Sequence, residues 1–132
     1  NYPENVWLGV TIENNRRLDR LDHLLATDAT IKWVSAEPLL EGFKELSWIK
    51  DIEWIVVGGE SGPGRRPFNP QWARDIMAAC REYGTAFWFK QHGDKENPND
   101  NLLDGQLIQE FPTHETWMVQ GELWGDKSRN HS

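Results

Sequence analysis

The sequence predicts an α/β fold built from four parallel strand–helix units, and two observations carry that prediction. The first is a set of four short apolar segments rich in Val, Ile, Trp and Phe, at residues 6–12, 31–36, 52–58 and 86–90. Two of them are nearly continuous in apolar residues, which suits strands buried on both faces of a parallel sheet. The second is their recurrence at the spacing of a strand–helix unit, from which we expect right-handed crossovers.

Two of the connections between these segments carry helical patterns. Residues 14–26 place leucines on one face with charges opposite. These leucines are Leu18, Leu21, Leu24 and Leu25. Residues 69–84 begin with Asn69 as an N-cap and Pro70 at the first helical position, and they end at Gly84. The sequence therefore predicts one amphipathic helix after the first strand and another before the fourth.

The remaining parts of the chain are less regular. We expect a short helix around Glu41–Leu46 and then an irregular return to the sheet. In residues 101–112, the Asp104–Gly105 pair lies between two apolar pairs, which predicts a small hairpin. We interpret residues 1–100 as the strand–helix units, and residues 101–132 as an extension of the same domain with a hairpin and a frayed end.

Composition narrows the classes of partner and compartment. A chain of 132 residues is long enough for one domain with a real core. Its net charge of −7 argues against duplex DNA or an anionic membrane as the main partner, so nucleic acid is not expected. A single cysteine, Cys80, allows no internal disulfide and no cysteine metal framework, which favours a reducing, cytoplasmic compartment. No apolar stretch approaches the roughly 20 residues that span a bilayer.

Polar side chains collect where each predicted strand ends. In parallel α/β sheets, ligands bind at the carboxyl ends of the strands, because loops and helix N-termini meet there. Taken together at one edge, these side chains exceed what turns need, which favours a functional interpretation. After the four strands in order they are Thr11, Glu13 and Asn14; Ser35 and Glu37; Gly58, Gly59, Glu60 and Ser61; and Lys90, Gln91 and His92.

Each candidate also has a structural interpretation. Glu13 and Asn14 suit the N-terminus of the first helix as capping residues. Lys90 can serve as the salt-bridge partner of Glu60 or Glu37, although a buried ion cluster is costly to assemble. These alternatives stay open at the level of sequence.

Other motifs give little support for chemistry. The segment GGESGPG lacks the Lys–Ser/Thr ending of a phosphate-binding loop and is not a dinucleotide fingerprint. The histidines have no metal-ligand spacing, so no metal site is expected. Arg65 and Arg66 can pair with phosphate or carboxylate, but a solvated loop is the favoured interpretation.

Five segments in order resemble an uncharacterised family encoded by phages and prophages, which itself resembles radical S-adenosylmethionine (SAM) enzymes. They are NVWLGVTIEN, VSAEPLL, IVVGGESGPGRRP, FWFKQHG and LDG…EFP, within about residues 4–112. Members of that family have a longer N-terminal half with a Cys-rich loop like a [4Fe–4S] site. This chain lacks that cysteine triad, so it resembles the C-terminal half of a partial TIM-type barrel. SAM and a [4Fe–4S] cluster are then expected only in a full-length parent, in the host cytoplasm.

The resemblance implies a mouth for SAM and substrate, without catalysis by this chain alone. The residues implied to line it, as binding residues and not as catalysts, are Glu13, Asn14, Glu37, Glu60, Ser61, Lys90 and Gln91. The alternative is a non-enzymatic phage protein that binds a host or phage partner. A half-barrel exposes an apolar face and two strand edges. We expect the missing N-terminal half, a second copy or the tail to cover them. The competing architecture is an open sheet with helices on both faces, complete in itself.

Overall fold

The structure is a computed structural model that describes residues 6–112 in full and the backbone of two further strands, Thr116–Val119 and Glu122–Asp126. The strands are β1 (Trp7–Thr11), β2 (Ile31–Ala36), β3 (Trp54–Gly58), β4 (Ala86–Gln91), β5 (Glu110–Phe111), β6 (Thr116–Val119) and β7 (Glu122–Asp126). The α-helices are α1 (Arg20–Leu25) and α2 (Pro70–Tyr83), and the 3-10 helices are Asn15–Asp19 and Ser47–Asp51.

The first four strands form a parallel sheet in the order β1-β2-β3-β4. This confirms the predicted α/β class and the four predicted strands. The strands β5, β6 and β7 form a second, antiparallel sheet that the sequence patterns did not predict. The likeness to half of a barrel, and the division into residues 1–100 and 101–132, remain predictions.

All the described helices pack on one face of the parallel sheet. Its register aligns one row of strand residues that are buried or half-buried: Val10, Val34, Ile55 and Phe87. This row belongs to the same hydrophobic core as buried residues from α1, α2 and the second 3-10 helix. Successive side chains of a strand point to opposite faces of the sheet. The described helices therefore cover the face that carries this row and leave the opposite face without a helix. The alternative with helices on both faces is therefore wrong for the described residues.

The opposite face, called here the open face, carries an aromatic cluster at the strand starts. The ring of Trp54 lies 5.8 Å from that of Trp7, 5.2 Å from Trp33, 6.2 Å from Trp88 and 5.6 Å from Phe111, measured between centroids. Offset and edge-on aromatic contacts of this kind add stability beyond the area they bury. Through Phe111, the β5 strand covers part of the open face at its amino-terminal end.

A glycine lets the aromatic cluster extend to β1. A Cβ atom added at Gly9 would lie 2.4 Å from Cε2 of Trp33, so the indole of Trp33 lies directly against the β1 backbone. Any larger residue at Gly9 would have to displace that ring.

The outer edge of β4 is covered by the chain's own later segment. The backbone N–H of Phe89 donates to the carbonyl of Ile108 at 2.8 Å, and that of Phe87 donates to the carboxylate of Glu110 at 2.9 Å. Glu110 has no exposed surface and receives the Arg81 guanidinium at 2.9 and 2.5 Å. No described strand pairs with β1 on its outer side. The tail therefore closes one edge of the parallel sheet and leaves β1 at the other.

The structure confirms the predicted helix that precedes β4. It runs from Pro70 to Tyr83, and the side chain of Asn69 accepts a hydrogen bond from the N–H of Gln71 at 3.0 Å. Gly84 ends it in the left-handed conformation, with φ 74°. The capping residues read from the sequence thus fix both ends of this helix.

The other connections depart from the predictions in part. Residues 14–26 are helical, but they begin as the 3-10 turn Asn15–Asp19. The helix expected at Glu41–Leu46 is wrong, because that segment has no helix and the 3-10 helix follows at Ser47–Asp51. The physical reason lies in Asn15, whose side chain donates to Glu41 and accepts from the N–H of Lys44. These long-range bonds hold the segment in an irregular, non-helical path.

The small hairpin predicted at Asp104–Gly105 is confirmed. Leu103 and Gln106 exchange two backbone hydrogen bonds, of 2.9 and 3.0 Å, around the turn. Asp104 and Gly105 have positive φ values of 52° and 77°, as a two-residue hairpin turn requires. The predicted frayed end falls largely on residues 127–132, which lie outside the described residues. In the part of the chain that the structure describes, no helix combines the length and apolarity of a membrane span.

We expect replacement of Glu110 by Ala to lower the free energy of unfolding by about 1–3 kcal/mol, because it removes the buried carboxylate that accepts the N–H of Phe87 and pairs with Arg81. Urea unfolding followed by tryptophan fluorescence measures the change. Asp104→Asn is the matched control, since it removes an exposed charge that also pairs with an arginine, Arg74, and keeps a residue that tolerates the positive φ of the turn. Equal losses in the two variants would contradict a special role for Glu110.

Candidate functional site at the carboxyl ends of the strands

The carboxyl ends of β2, β3 and β4 surround an open cavity of about 230 Å³, called here the strand-end pocket. It is lined by Glu37, Pro38, Gly59, Glu60, Ser61 and Gln91. Four of the seven residues predicted from the sequence are in this lining, and a fifth, Lys90, contacts it through Glu37. The structure therefore brings most of the predicted residues together at one place.

An ion pair between Glu37 and Lys90 lies where the pocket lining meets the open face. The Nζ of Lys90 lies 2.8 Å from Oε2 of Glu37, which selects Glu37 rather than Glu60 as its partner. A Cβ atom added at Gly58 would lie 3.4 Å from Cβ of Lys90 and 3.6 Å from Cδ of Glu37. The lysine side chain is 52% exposed, so its ammonium group remains accessible to a ligand. The absence of a side chain at Gly58 lets the pair lie close to the sheet.

Glu60 is held by Arg66, whose side chain stays 59% exposed, as the interpretation of a solvated loop expects. Nε and the backbone N–H of Arg66 donate to Oε1 of Glu60 at 2.9 Å each, and a terminal nitrogen donates to Oε2 at 2.7 Å. The guanidinium bonds first, and the backbone bond second, lower the pKa of Glu60 to about 2. Glu60 is therefore a charged wall of the pocket with a fixed orientation. In the sequence, the signal for this pairing was the short Gly62-Pro63-Gly64 turn that lies between Glu60 and Arg66.

Gly59 and Gln91 join the loops after β3 and β4. The N–H of Gly59 donates to the carbonyl of Gln91, and Nε2 of Gln91 donates to the carbonyl of Gly59, both at 2.9 Å. A Cβ atom at Gly59 would lie 2.1 Å from the carbonyl oxygen of His92, which is backbone and cannot move aside cheaply. Gln91 therefore positions the pocket wall, and Gly59 is a lining residue outside the seven assigned to binding.

Glu13 and Asn14 do not line the strand-end pocket. The carboxylate of Glu13 pairs with Arg20 at 3.0 Å. Asn14 occupies the N-cap position of the first 3-10 helix but makes no side-chain capping bond, and its Oδ1 is buried without a hydrogen-bond partner. The capping interpretation of these two residues is therefore wrong. Their role in binding stays a prediction.

His92, directly after β4, is already engaged by the fold. Its Nε2 lies 2.7 Å from the carbonyl oxygen of Leu102, and its ring packs edge-on against Phe68 and Phe89. The carboxylate of Asp100 accepts the N–H of Gly93 at 3.0 Å and so closes the same loop. The imidazole therefore supports the wall behind the pocket.

The described residues do not fit an iron–sulfur cluster. Cys80 is fully buried in the core, where burial and, secondly, the Glu110 carboxylate raise the pKa of its thiol. A cluster needs several thiolates that can reach the metal ions. Within residues 6–112, no group of three or more His, Cys, Asp or Glu side chains is arranged to hold a metal ion.

The lining of the strand-end pocket suits a small polar ligand. It offers two carboxylates as acceptors and the Ser61 hydroxyl as both donor and acceptor, with the Lys90 ammonium beside them. Such a set can bind an ammonium or hydroxyl group and an anionic group on the same molecule.

Residues 1–112 match the family described as "Protein of unknown function (DUF5131)", and the chain belongs to that family. No curated protein and no solved structure matches the sequence.

We expect Arg66→Ala to raise the pKa of Glu60 from about 2 toward its ordinary value of 4.5, because the guanidinium bonds that favour the carboxylate are lost. Carboxyl ¹³C chemical shifts across a pH titration measure it. Since the folded-state pKa is depressed, the stabilisation is present above pH 4.5 and is lost as the pH falls toward 2. Arg74→Ala should leave the Glu60 titration unchanged. An unchanged Glu60 midpoint in Arg66→Ala would contradict the assignment.

Proposed function

We propose that this chain forms one wall of a small-molecule mouth in a phage-encoded, radical-SAM-like protein, and that it binds part of SAM or of the substrate there. The observation that supports this most is the strand-end pocket, which gathers Glu37, Glu60, Ser61 and Gln91 at the edge where parallel α/β folds bind ligands. The chain contributes binding residues, and the reaction belongs to a longer protein in the host cytoplasm.

The chemistry of the pocket matches the amino-acid end of SAM. That end carries an ammonium and a carboxylate group. The charged carboxylates of Glu37 and Glu60 suit the ammonium group, and the exposed ammonium of Lys90 suits the carboxylate. Because Glu60 and Gln91 are already held by Arg66 and Gly59, they need little reordering when a ligand binds. A [4Fe–4S] cluster, which would supply the electron for radical chemistry, requires cysteines outside this chain.

The one-sided sheet supports the half-barrel interpretation. In a barrel, helices surround the sheet and the inner face of the strands carries side chains only. The aromatic cluster and the Glu37–Lys90 pair would then belong to the interior. The missing N-terminal half would extend the sheet at β1, since residues 108–110 cover β4. For the same reason a second copy could extend the parallel sheet only at β1.

The second candidate function is a non-enzymatic interaction with a host or phage protein. The exposure of Trp7 and Phe111, at 43% and 44%, favours it, because exposed aromatic side chains at a sheet edge are typical of interfaces. The net charge of −7 fits such a partner only in general terms.

We expect the 132-residue chain to bind SAM and free methionine, and Glu37→Gln to weaken both at least tenfold, because the neutral amide no longer attracts the ammonium group. Glu60→Gln should have a smaller effect in the same direction. Isothermal titration calorimetry measures the affinities. Glu82→Gln, an acidic residue on α2 outside the pocket, is the matched control. Absence of binding, or equal effects at Glu37 and Glu82, would refute the proposal and favour the interaction function.

We expect the isolated chain to associate reversibly through β1 as its concentration rises, and Thr11→Lys to reduce that association, because Thr11 is exposed on β1 and lysine on an edge strand opposes strand pairing. Sedimentation equilibrium at several concentrations measures it. Thr30→Lys adds the same charge at another exposed position and should change nothing. A wild-type chain that stays monomeric throughout would exclude the second copy and leave the N-terminal half as the partner.

A further inference from the structure

The side chains of the open face form three successive rows along the strands, called here levels, and the rows differ in chemical character. The first level, nearest the strand starts, is the row of Trp33 and Trp54 within the aromatic cluster. The second is a row of small side chains. It consists of Thr11, Ser35 and Val56, and Trp88 continues it on β4. The third is the Glu37–Lys90 pair at Gly58. The face therefore passes from aromatic to small and hydroxylated, and then to charged.

The second level leaves space between the aromatic and charged levels. Thr11 is exposed, and Ser35 and Val56 are partly exposed, so nothing in the described residues covers them completely. Trp88 is the one large side chain in the row, and its ring packs against Phe111 at 4.9 Å and Trp54 at 6.2 Å. These contacts hold the Trp88 indole toward the strand starts, away from the charged level.

The dimensions of this space suit a flat ring. Successive levels on one face are two residues apart, or about 7 Å along a strand. A planar ring lying at the second level would contact the indoles of the first level on one side. On the other it would approach the Glu37–Lys90 pair, which offers one acceptor and one donor. The hydroxyls of Thr11 and Ser35 add groups that can donate or accept.

We propose that the open face binds a planar heteroaromatic ring of the nucleobase class, carried by the substrate of the mouth. The indoles supply the aromatic contact, which tolerates any planar ring. The hydroxyls of Thr11 and Ser35 bond to the ring's polar edge, where a nucleobase alternates donors and acceptors. An aliphatic ligand would leave these polar groups unpaired, at a cost in affinity. The inference rests on the proposed function and assigns it a substrate class.

Cytidine is the probe for the ring, ribose is the control without a ring, and methionine reports on the strand-end pocket. We expect cytidine, but not ribose, to bind in calorimetry and to quench the tryptophan fluorescence. Ser35→Leu and Thr11→Leu fill the second level and should weaken cytidine at least tenfold while leaving methionine unchanged. Thr30→Leu makes the same change at an exposed position away from the face and should have no effect.

The outcomes separate the two proposals. Methionine binding without cytidine binding overturns the heteroaromatic site and leaves the mouth standing. Equal affinity for cytidine and ribose, or cytidine binding unaffected by both leucine variants, also overturns it. If the wild-type chain binds neither cytidine nor methionine, the proposed function is refuted as well. If Ser35→Leu does not fold, Thr11→Leu decides, because Thr11 is already exposed on the edge strand.

Discussion

The strand order β1-β2-β3-β4, with every described helix on the same face, is the constraint on which the rest of the structure depends. Parallel neighbours need crossover helices, and crossovers of one hand that always advance in one direction place all helices on one side. That side becomes the hydrophobic core. The other side keeps its aromatic and polar side chains available, and the carboxyl ends of all four strands meet at one edge of it.

The candidate site follows from close backbone approaches at that edge. Gly58 lets the Glu37–Lys90 pair lie against the sheet, and Gly59 lets the loop after β3 contact the backbone at His92. Arg66 then holds Glu60, and Gln91 holds Gly59. Glu37, Glu60 and Gln91 thus each have a partner that fixes their position, as a preorganised binding site requires. The stability of the fold depends on a different group, the buried Glu110 carboxylate. It accepts the N–H of Phe87 and so holds residues 108–111 against β4.

Much of the fold could be predicted from the sequence, because it rests on local signals. Apolar runs located the strands, and Asn69, Pro70 and Gly84 fixed both ends of α2. The helix predicted at Glu41–Leu46 failed because Asn15, distant in sequence, bonds that segment. For the site, the rule that ligands bind at strand ends gathered Glu37, Glu60, Ser61, Lys90 and Gln91 correctly in space. It could not reveal that Glu13 pairs with Arg20 instead.

The sequence by itself determined the α/β class, the strands, both caps of α2, the hairpin at Asp104–Gly105 and the edge at which polar residues collect. These features depend on residue type, periodicity and short-range turn chemistry, which are written along the chain. Only the tertiary structure decided that Lys90 pairs with Glu37, that Arg66 holds Glu60, and that the tail closes the β4 edge through Glu110. Those choices depend on distances between segments far apart in sequence, and several partners of suitable charge are present until folding brings one of them within reach.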